Sequence, residues 1–269
     1  MAPERAFESV RGDYERALRE IFRERCERAG REVPDVTDDR MLYALEELTL
    51  AIEREQRTER ADPYAFLNLQ GASGSGKGTI GQRIVAAGIP KLARTTDRAR
   101  RPDEVEGVDY FFVSEDEFTR RLAAGEFAGT PEATYGERRG MDRKVLDAHL
   151  RRGQFFIEGC ARVPLEFLGY PPTADLPFLN TYLLTPSFDE LVNRLQGRSG
   201  EERSAAGQAT SVNSDDQITK RIRASVEHLT KSRHVEGDRP MTDVFVVNDE
   251  VGRATGIILD LLGQPRQEG

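Results

Sequence analysis

Apolar positions in the first sixty residues fall at helical spacing. Phe7, Val10, Tyr14, Leu18 and Ile21 recur with Arg and Glu between them, which puts one apolar stripe on an otherwise solvated helix. Val33-Pro34-Asp35 breaks the period, and Met41, Leu45, Leu48 and Ile52 begin a second stripe. The pattern predicts two helices joined by a short turn. This hairpin, residues 1–61, holds no phosphate-binding or acid–base constellation. Its expected role is packing, or pairing with a second copy as a homodimer.

From Tyr64 the period changes to strands alternating with helices. The pattern predicts strands at Tyr64–Leu69, Tyr110–Val113, Phe155–Ile157, Thr181–Leu184 and Val244–Val247. Helices are expected from near Gly76, from Ser114 to Ala124 with Ser114 and Glu117 as a capping box, and over Asp142–Arg152 with Gly153 as the stop. Three more are expected: Ser187 to about Gln196, Asp215 to about Ser232, and Val251–Leu262. Alternation of this kind implies an α/β fold with a mainly parallel sheet covered on both faces. Between Gly197 and Ser214 almost no residue is apolar, so that stretch is expected to stay unburied and mobile.

Composition adds limits. The chain has 269 residues, 38% hydrophobic and 32% charged, with a net charge of −8. That length suits one domain plus an appendage. A net negative chain lacks the basic face of a nucleic-acid binder, so any anion it binds must meet a local positive site. No apolar run approaches the roughly 20 residues that span a bilayer, and the N-terminus has no signal-peptide core. Cys26 and Cys160 lack metal-ligand spacing and read as reduced thiols, which points to a cytoplasmic protein. The histidines His149, His228 and His234 fall on predicted helices or their ends and are expected at the surface.

The candidate chemistry begins at Gly71-Ala72-Ser73-Gly74-Ser75-Gly76-Lys77-Gly78-Thr79. The segment follows a strand and opens a helix, which separates it from a Gly/Ser linker. Glycines let the backbone turn its N–H groups onto an anion, the helix N-terminus adds partial positive charge, and Lys77 reaches the β- and γ-phosphates. This is a phosphate-binding loop, or P-loop, and it implies ATP with Mg²⁺. Gly78 stands where a hydroxyl residue usually follows the lysine, so the metal is expected to rely more on nucleotide oxygens and water, with Thr79 nearby.

Further motifs follow in order. The segment from Arg98 through Arg101, Glu104, Gly107, Asp109-Tyr110 and Val113-Ser114 resembles the acceptor segment of guanylate kinases. So do Gly125-Glu126-Phe127, Tyr135-Gly136, Arg194-Leu-Gln-Gly197-Arg198, Thr219-Lys220-Arg221 and Val246-Val247-Asn248-Asp249. The resemblance spans about residues 62–263. It implies a P-loop kinase three-layer sandwich with an acceptor subdomain at about 93–139 and a lid at about 197–221. It also implies that Arg98, Arg101, Tyr110 and Tyr135 hold the phosphate of a small acceptor. By the same resemblance Glu158 lies near the acceptor and the metal, Arg194, Arg198 and Arg221 serve transfer from the lid with Lys77, and Asn248 lies near the ATP base. Arrangements of this kind suit phosphoryl transfer, which needs alignment and positive charge more than covalent chemistry.

The guanine-reading positions depart from the family pattern. Arg94 stands where a Ser is usual, Ala128-Gly129 where a Glu is expected, and Cys160 in place of an Asp, while Glu132 is a candidate substitute. Base rejection depends on polar groups left unpaired by the wrong ligand. The acceptor is therefore open between GMP, another nucleoside monophosphate and a sugar phosphate such as ribose 1,5-bisphosphate. Related modules that bind protein partners without catalysis form a further alternative, which the intact loop disfavours.

Overall fold

A computed structural model describes residues 4–58, 63–101, 104–134, 137–159, 176–206, 215–233, 235–236 and 239–264. In chain order its helices are α1 (Glu4–Arg28), α2 (Asp38–Arg57), α3 (Lys77–Ala86), α4 (Glu115–Ala123), α5 (Arg143–Arg152), α6 (Phe188–Ala206), α7 (Asp215–Ser232) and α8 (Val251–Leu261). Its strands are β1 (Phe66–Gly71), β2 (Arg94–Thr96), β3 (Tyr110–Phe112), β4 (Phe127–Thr134), β5 (Glu137–Asp142), β6 (Phe155–Glu158), β7 (Phe178–Leu184), β8 (Val235–Glu236), β9 (Arg239–Pro240) and β10 (Val244–Val247).

The main sheet is parallel, in the order β10-β7-β1-β6. Its strands are buried almost throughout because helices cover both faces. Leu92 N–H donating to Phe156 O at 2.8 Å continues the sheet one step beyond β6. Three buried amides cross the centre: Asn68 Nδ2 donates to Asn180 Oδ1 at 3.0 Å, and Gln70 Nε2 to Met241 O at 3.2 Å.

A second sheet, β3-β2-β5-β4, stands beyond β6 and forms one wall of the cleft described below. Only β3 of this sheet is predicted from the sequence pattern. The others are polar, and charge on the cleft face replaces the alternation that marks a half-buried strand.

Helix α6 also departs from expectation, running ten residues past Gln196 to Ala206. Residues 197–206 offer little to bury, yet their Arg, Glu and Ala are good helix formers. They continue the helix instead of forming an irregular stretch, and residues 207–214 lie outside the described residues. Ser114 caps α4 by accepting Glu117 N–H at 3.2 Å, but Glu117 turns to Arg120 and Arg121, so half the capping box forms.

The hairpin helices share a hydrophobic cluster with β7, β10, α6 and α7. Phe7, Val10, Tyr14, Leu18, Ile21, Met41, Leu45 and Leu48 are buried there with Tyr182, Phe245, Leu191 and Ile222. At roughly 1.5–3 kcal/mol for each buried side chain, stripping the hairpin away would forfeit more than about 10 kcal/mol. That is comparable to a whole domain's stability of about 5–15 kcal/mol. The stripes that suggested a dimer contact are covered within the chain. Among the described residues no helix is long and apolar enough to cross a membrane.

Candidate active site

Strand β1 delivers the loop and α3 closes it. Lys77 Nζ crosses the loop and donates to Gly71 O at 2.7 Å and Ala72 O at 2.8 Å, which stations the ammonium at the loop mouth. Gly76 has φ +93°, and a Cβ there would lie 2.2 Å from Asn248 Nδ2. Only glycine fits that approach. Asn248 in turn donates from Nδ2 to Ser75 O at 2.8 Å and is almost fully buried. Its side chain braces the loop.

Over the loop opens a cleft of about 920 Å³. Lys77, Lys91, Arg94, Arg98, Arg101, Arg139, Arg194 and Arg221 line it, against the carboxylates Glu104, Asp109 and Glu158. Eight cations facing three anions, in a chain of net charge −8, make this the local positive site that composition required.

The far wall is a face of the second sheet. Arg94 pairs in register with Tyr110, and Thr96 with Arg139. Alternate residues of β2 point to the same side, so Arg94, Tyr110 and Arg139 share the face that lines the cleft. Arg98 stands beside it, 5.0 Å over the Tyr110 ring and 5.5 Å over that of Phe112. Glu104 takes the Arg98 guanidinium in bidentate fashion and accepts the Arg101 N–H at 2.9 Å. Burial pulls the Arg98 pKa down, but Glu104 outweighs it and holds it above the ordinary value. Burial likewise pushes Glu104 up, and Arg98 with the Arg101 amide brings it below the usual carboxylate range. Arg98 Nε is buried with no hydrogen-bond partner among the described residues.

Glu158, at the end of β6, lies 3.3 Å from Lys91, which also stands 3.5 Å from Asp109. A Cβ on Gly81 would come within 2.6 Å of Glu158 Oε1, so glycine in α3 makes room for that carboxylate. From the other side, Arg194 donates through Nε to Glu190 at 2.6 Å and through Nη2 to Asn248 O at 3.0 Å. Arg221, half-buried on α7, completes the ring.

The structure thus brings Gly71, Ser73, Gly74, Gly76, Lys77, Gly78, Thr79, Arg98, Arg101, Tyr110, Glu158, Arg194, Arg221 and Asn248 around one cleft. Ser75 is buried behind the loop. Tyr135 lies outside the described residues, as does the side chain of Arg198. Lys91 and Arg139, which carry no motif, also line the cleft, and so does His228, expected at the surface. Arg139 lies in an unrecognised strand. His228 is seven residues after Arg221 on α7, two helical turns, so the two share a face, and it is half-buried, contrary to the surface expectation. His149 is half-buried too, with its ring 5.4 Å from that of Phe155. His234 lies outside the described residues.

A guanylate kinase family model matches residues 66–148. The guanylate kinase of Geobacter sulfurreducens is 32% identical over 194 residues, 69% of this chain and 81% of that protein. The chain belongs to the guanylate kinase family. The Bifidobacterium longum guanylate kinase is 29% identical over 215 residues, 77% of this chain and 97% of that protein. In fold, the chain is similar to the crystal structure of guanylate kinase from Anaplasma phagocytophilum. The TM-score is 0.53 at 20% identity, covering 77% of this chain and 88% of that one.

Within this family setting, two of the three acceptor-side departures fall among the described residues. Arg94 is 5% exposed in the cleft wall, and its Nη2 donates to Glu158 O at 3.0 Å. Glu132 is the register partner of Arg139 in β4, with an irregularity between Ala128 and Glu132 that takes in Gly129. Cys160 lies outside the described residues.

Nucleotide and metal fit these residues. The glycine-rich loop opens onto the cleft, with the Lys77 ammonium held at the carbonyls of Gly71 and Ala72, an arrangement that suits phosphate. Among the described residues no cluster of three or more acidic, His or Cys side chains could hold a metal alone. Thr79 and Glu158 both line the cleft and would be the side chains nearest to hand for a Mg²⁺ brought in with the nucleotide.

Proposed function

We propose that this enzyme moves the γ-phosphoryl group of ATP to the phosphate of a small acceptor, a nucleoside monophosphate such as GMP. The observation that carries the reading is the single cleft lined by Lys77 and the loop together with Arg98, Arg101 and Tyr110. An acceptor phosphate oxygen attacks the γ-phosphorus, the bond from that phosphorus to the β–γ bridging oxygen breaks, and ADP leaves as the acceptor becomes a diphosphate. Loop amides and Lys77 hold the donor, and the arginine forks hold the acceptor in line. Arg194 and Arg221 line the same cleft, and their role in this reading is to spread positive charge over the transferring group. Mg²⁺, when bound, would supply charge neutralisation to the nucleotide phosphates. The resemblance assigns Tyr135 to the acceptor clamp, Arg198 to the lid and Asn248 to the edge of the ATP base. The Asn248 bond to Ser75 O supports a loop-bracing role as well.

Arg94 favours a second reading of the acceptor. Lys91 is ion-paired with Glu158 and Asp109 and Arg139 with Glu137, but Arg94 stands in the cleft wall where the family pattern has a serine, which suits an acceptor other than a guanine nucleotide, such as ribose 1,5-bisphosphate. ADP release measured over a panel of phosphorylated acceptors tests both. Turnover with GMP supports the first, turnover only with sugar phosphates the second. ATP binding without turnover on any acceptor leaves the non-catalytic interaction module. Lys77→Ala should lower turnover by about a hundredfold or more with the fold retained by circular dichroism; undiminished turnover would remove the loop's role.

A further inference from the structure

The appended helix α2 reaches the nucleotide site through the edge of the main sheet. Strand β10 is the outer strand, and an outer strand presents unpaired N–H groups that require a partner when buried. Side chains of α2 provide it. Thr49 Oγ1 accepts the Phe245 N–H at 3.1 Å, and Glu46 Oε2 accepts the Val247 N–H at 2.7 Å. Glu46 is 4% exposed, so its charge is answered locally. Arg253 answers it, donating from Nη1 to Oε1 at 2.6 Å and from Nη2 to Oε2 at 3.1 Å. The same guanidinium donates to Val247 O at 2.7 Å and to Asp249 Oδ1 at 2.8 Å, and Tyr43 of α2 reaches Asp249 Oδ2 at 3.2 Å.

The turn gripped in this way, Val247-Asn248-Asp249, supports two parts of the cleft. Asn248 Nδ2 holds Ser75 O of the phosphate loop, and Asn248 O holds Arg194. A shift of the turn is therefore passed to the loop backbone and to the arginine together. We propose that Glu46 is a positioning residue for the nucleotide phosphates, and that helix α2 acts on the ATP site through it.

This inference rests on the phosphate-loop reading, so the test separates the two. Binding of Mg²⁺ and ATP is measured by titration calorimetry without acceptor, and stability by thermal melting. Glu46→Gln keeps the shape, removes the charge that answers Arg253 and turns an amide donor toward that guanidinium. It should weaken ATP binding roughly tenfold, the effect of losing one hydrogen bond to a charged group, and leave the acceptor KM unchanged. Arg253→Gln, at a residue one-third exposed, should act in the same direction and serves if Glu46→Gln folds poorly. Thr49→Val removes the neighbouring edge bond, two residues from the turn, and should lower the melting temperature without altering ATP binding. If Glu46→Gln and Arg253→Gln lower stability but bind ATP as the wild type does, or if Thr49→Val weakens ATP binding equally, the positioning role is overturned. A wild-type chain that binds no ATP overturns the phosphate-loop reading itself.

Discussion

Arg98 and Glu104 face each other across a short turn, with Arg98 Nη1 donating to Glu104 Oε2 at 2.7 Å and Nη2 to Oε1. The pair is largely dry: Arg98's side chain is 6% exposed and Glu104's 12%. Since the same carboxylate accepts the Arg101 N–H, one side chain holds the Arg98 guanidinium and the Arg101 backbone, the two arginines proposed to clamp the acceptor. Glu104→Gln leaves the guanidinium half-satisfied in a buried place. It should raise the acceptor KM about tenfold with the ATP KM unchanged. Arg98→Lys keeps the charge but loses the planar fork, and should act in the same direction. Steady-state kinetics with each substrate varied in turn checks this. A rise confined to the ATP KM would place the clamp elsewhere.

The pH dependence follows from the same pair. Burial pushes the Glu104 carboxyl up, but Arg98 and the Arg101 amide bring it below its ordinary value. Asp97 is lowered as well, burial again opposing and Arg138 prevailing. A depressed folded pKa stabilises the fold above the unfolded value, about 3.9–4.3 for these side chains, and that stability is lost as pH falls through the lower folded value. The melting temperature should therefore lose nothing to these two groups between pH 7 and pH 5 and fall below about pH 4. Scanning calorimetry on wild type and Glu104→Gln measures it, and the acid-induced fall should be smaller in the variant.

Gly76 and Gly78 stand two residues apart and carry opposite expectations. Gly76 is left-handed, with Asn248 Nδ2 where a Cβ would go, whereas Gly78 sits on α3 with nothing within 4 Å of its added Cβ. Gly76→Ala should destabilise by at least 1–2 kcal/mol, since Asn248 must release Ser75 O or the loop must move. Gly78→Ala should hold or raise the melting temperature, alanine being favoured over glycine in a helix by roughly 1 kcal/mol. Equal melting of the two variants would mean that the loop does not take this shape in solution.

The hairpin and the phosphate loop were legible in the sequence because each is written locally. The stripe Phe7 to Ile21 is a helical period, and Gly71 to Thr79 combines glycines with a lysine between a strand and a helix. The second sheet was not legible. Arg94-Thr95-Thr96 and the strand from Glu137 to Asp142 carry charge where a pattern-based reading looks for apolar residues, because that face serves the cleft. Glu104 stood within a recognised motif, but its bond to Arg98 depends on how the turn closes. Glu46 gave no signal, since a lone acid on an amphipathic helix reads as surface. Only the edge of β10 makes it necessary.

Arg94 decides between the acceptor readings. It is buried on the face shared with Tyr110 and Arg139, and it also holds the end of β6 through Glu158 O. A serine there would shorten the reach and remove the charge together. If the cation meets acceptor charge, the loss on Arg94→Ser should grow with the acceptor's negative charge. The expected fall in kcat/KM is about tenfold for a nucleoside monophosphate and nearer a hundredfold for a sugar bisphosphate, the range set by one or two charge-assisted hydrogen bonds. Added salt should narrow the difference by screening what remains of the positive cleft. The measurement is kcat/KM for each acceptor at two ionic strengths, wild type against variant. An equal fall for every acceptor, insensitive to salt, would confine Arg94 to bracing Glu158 and return acceptor choice to the segment around Glu132.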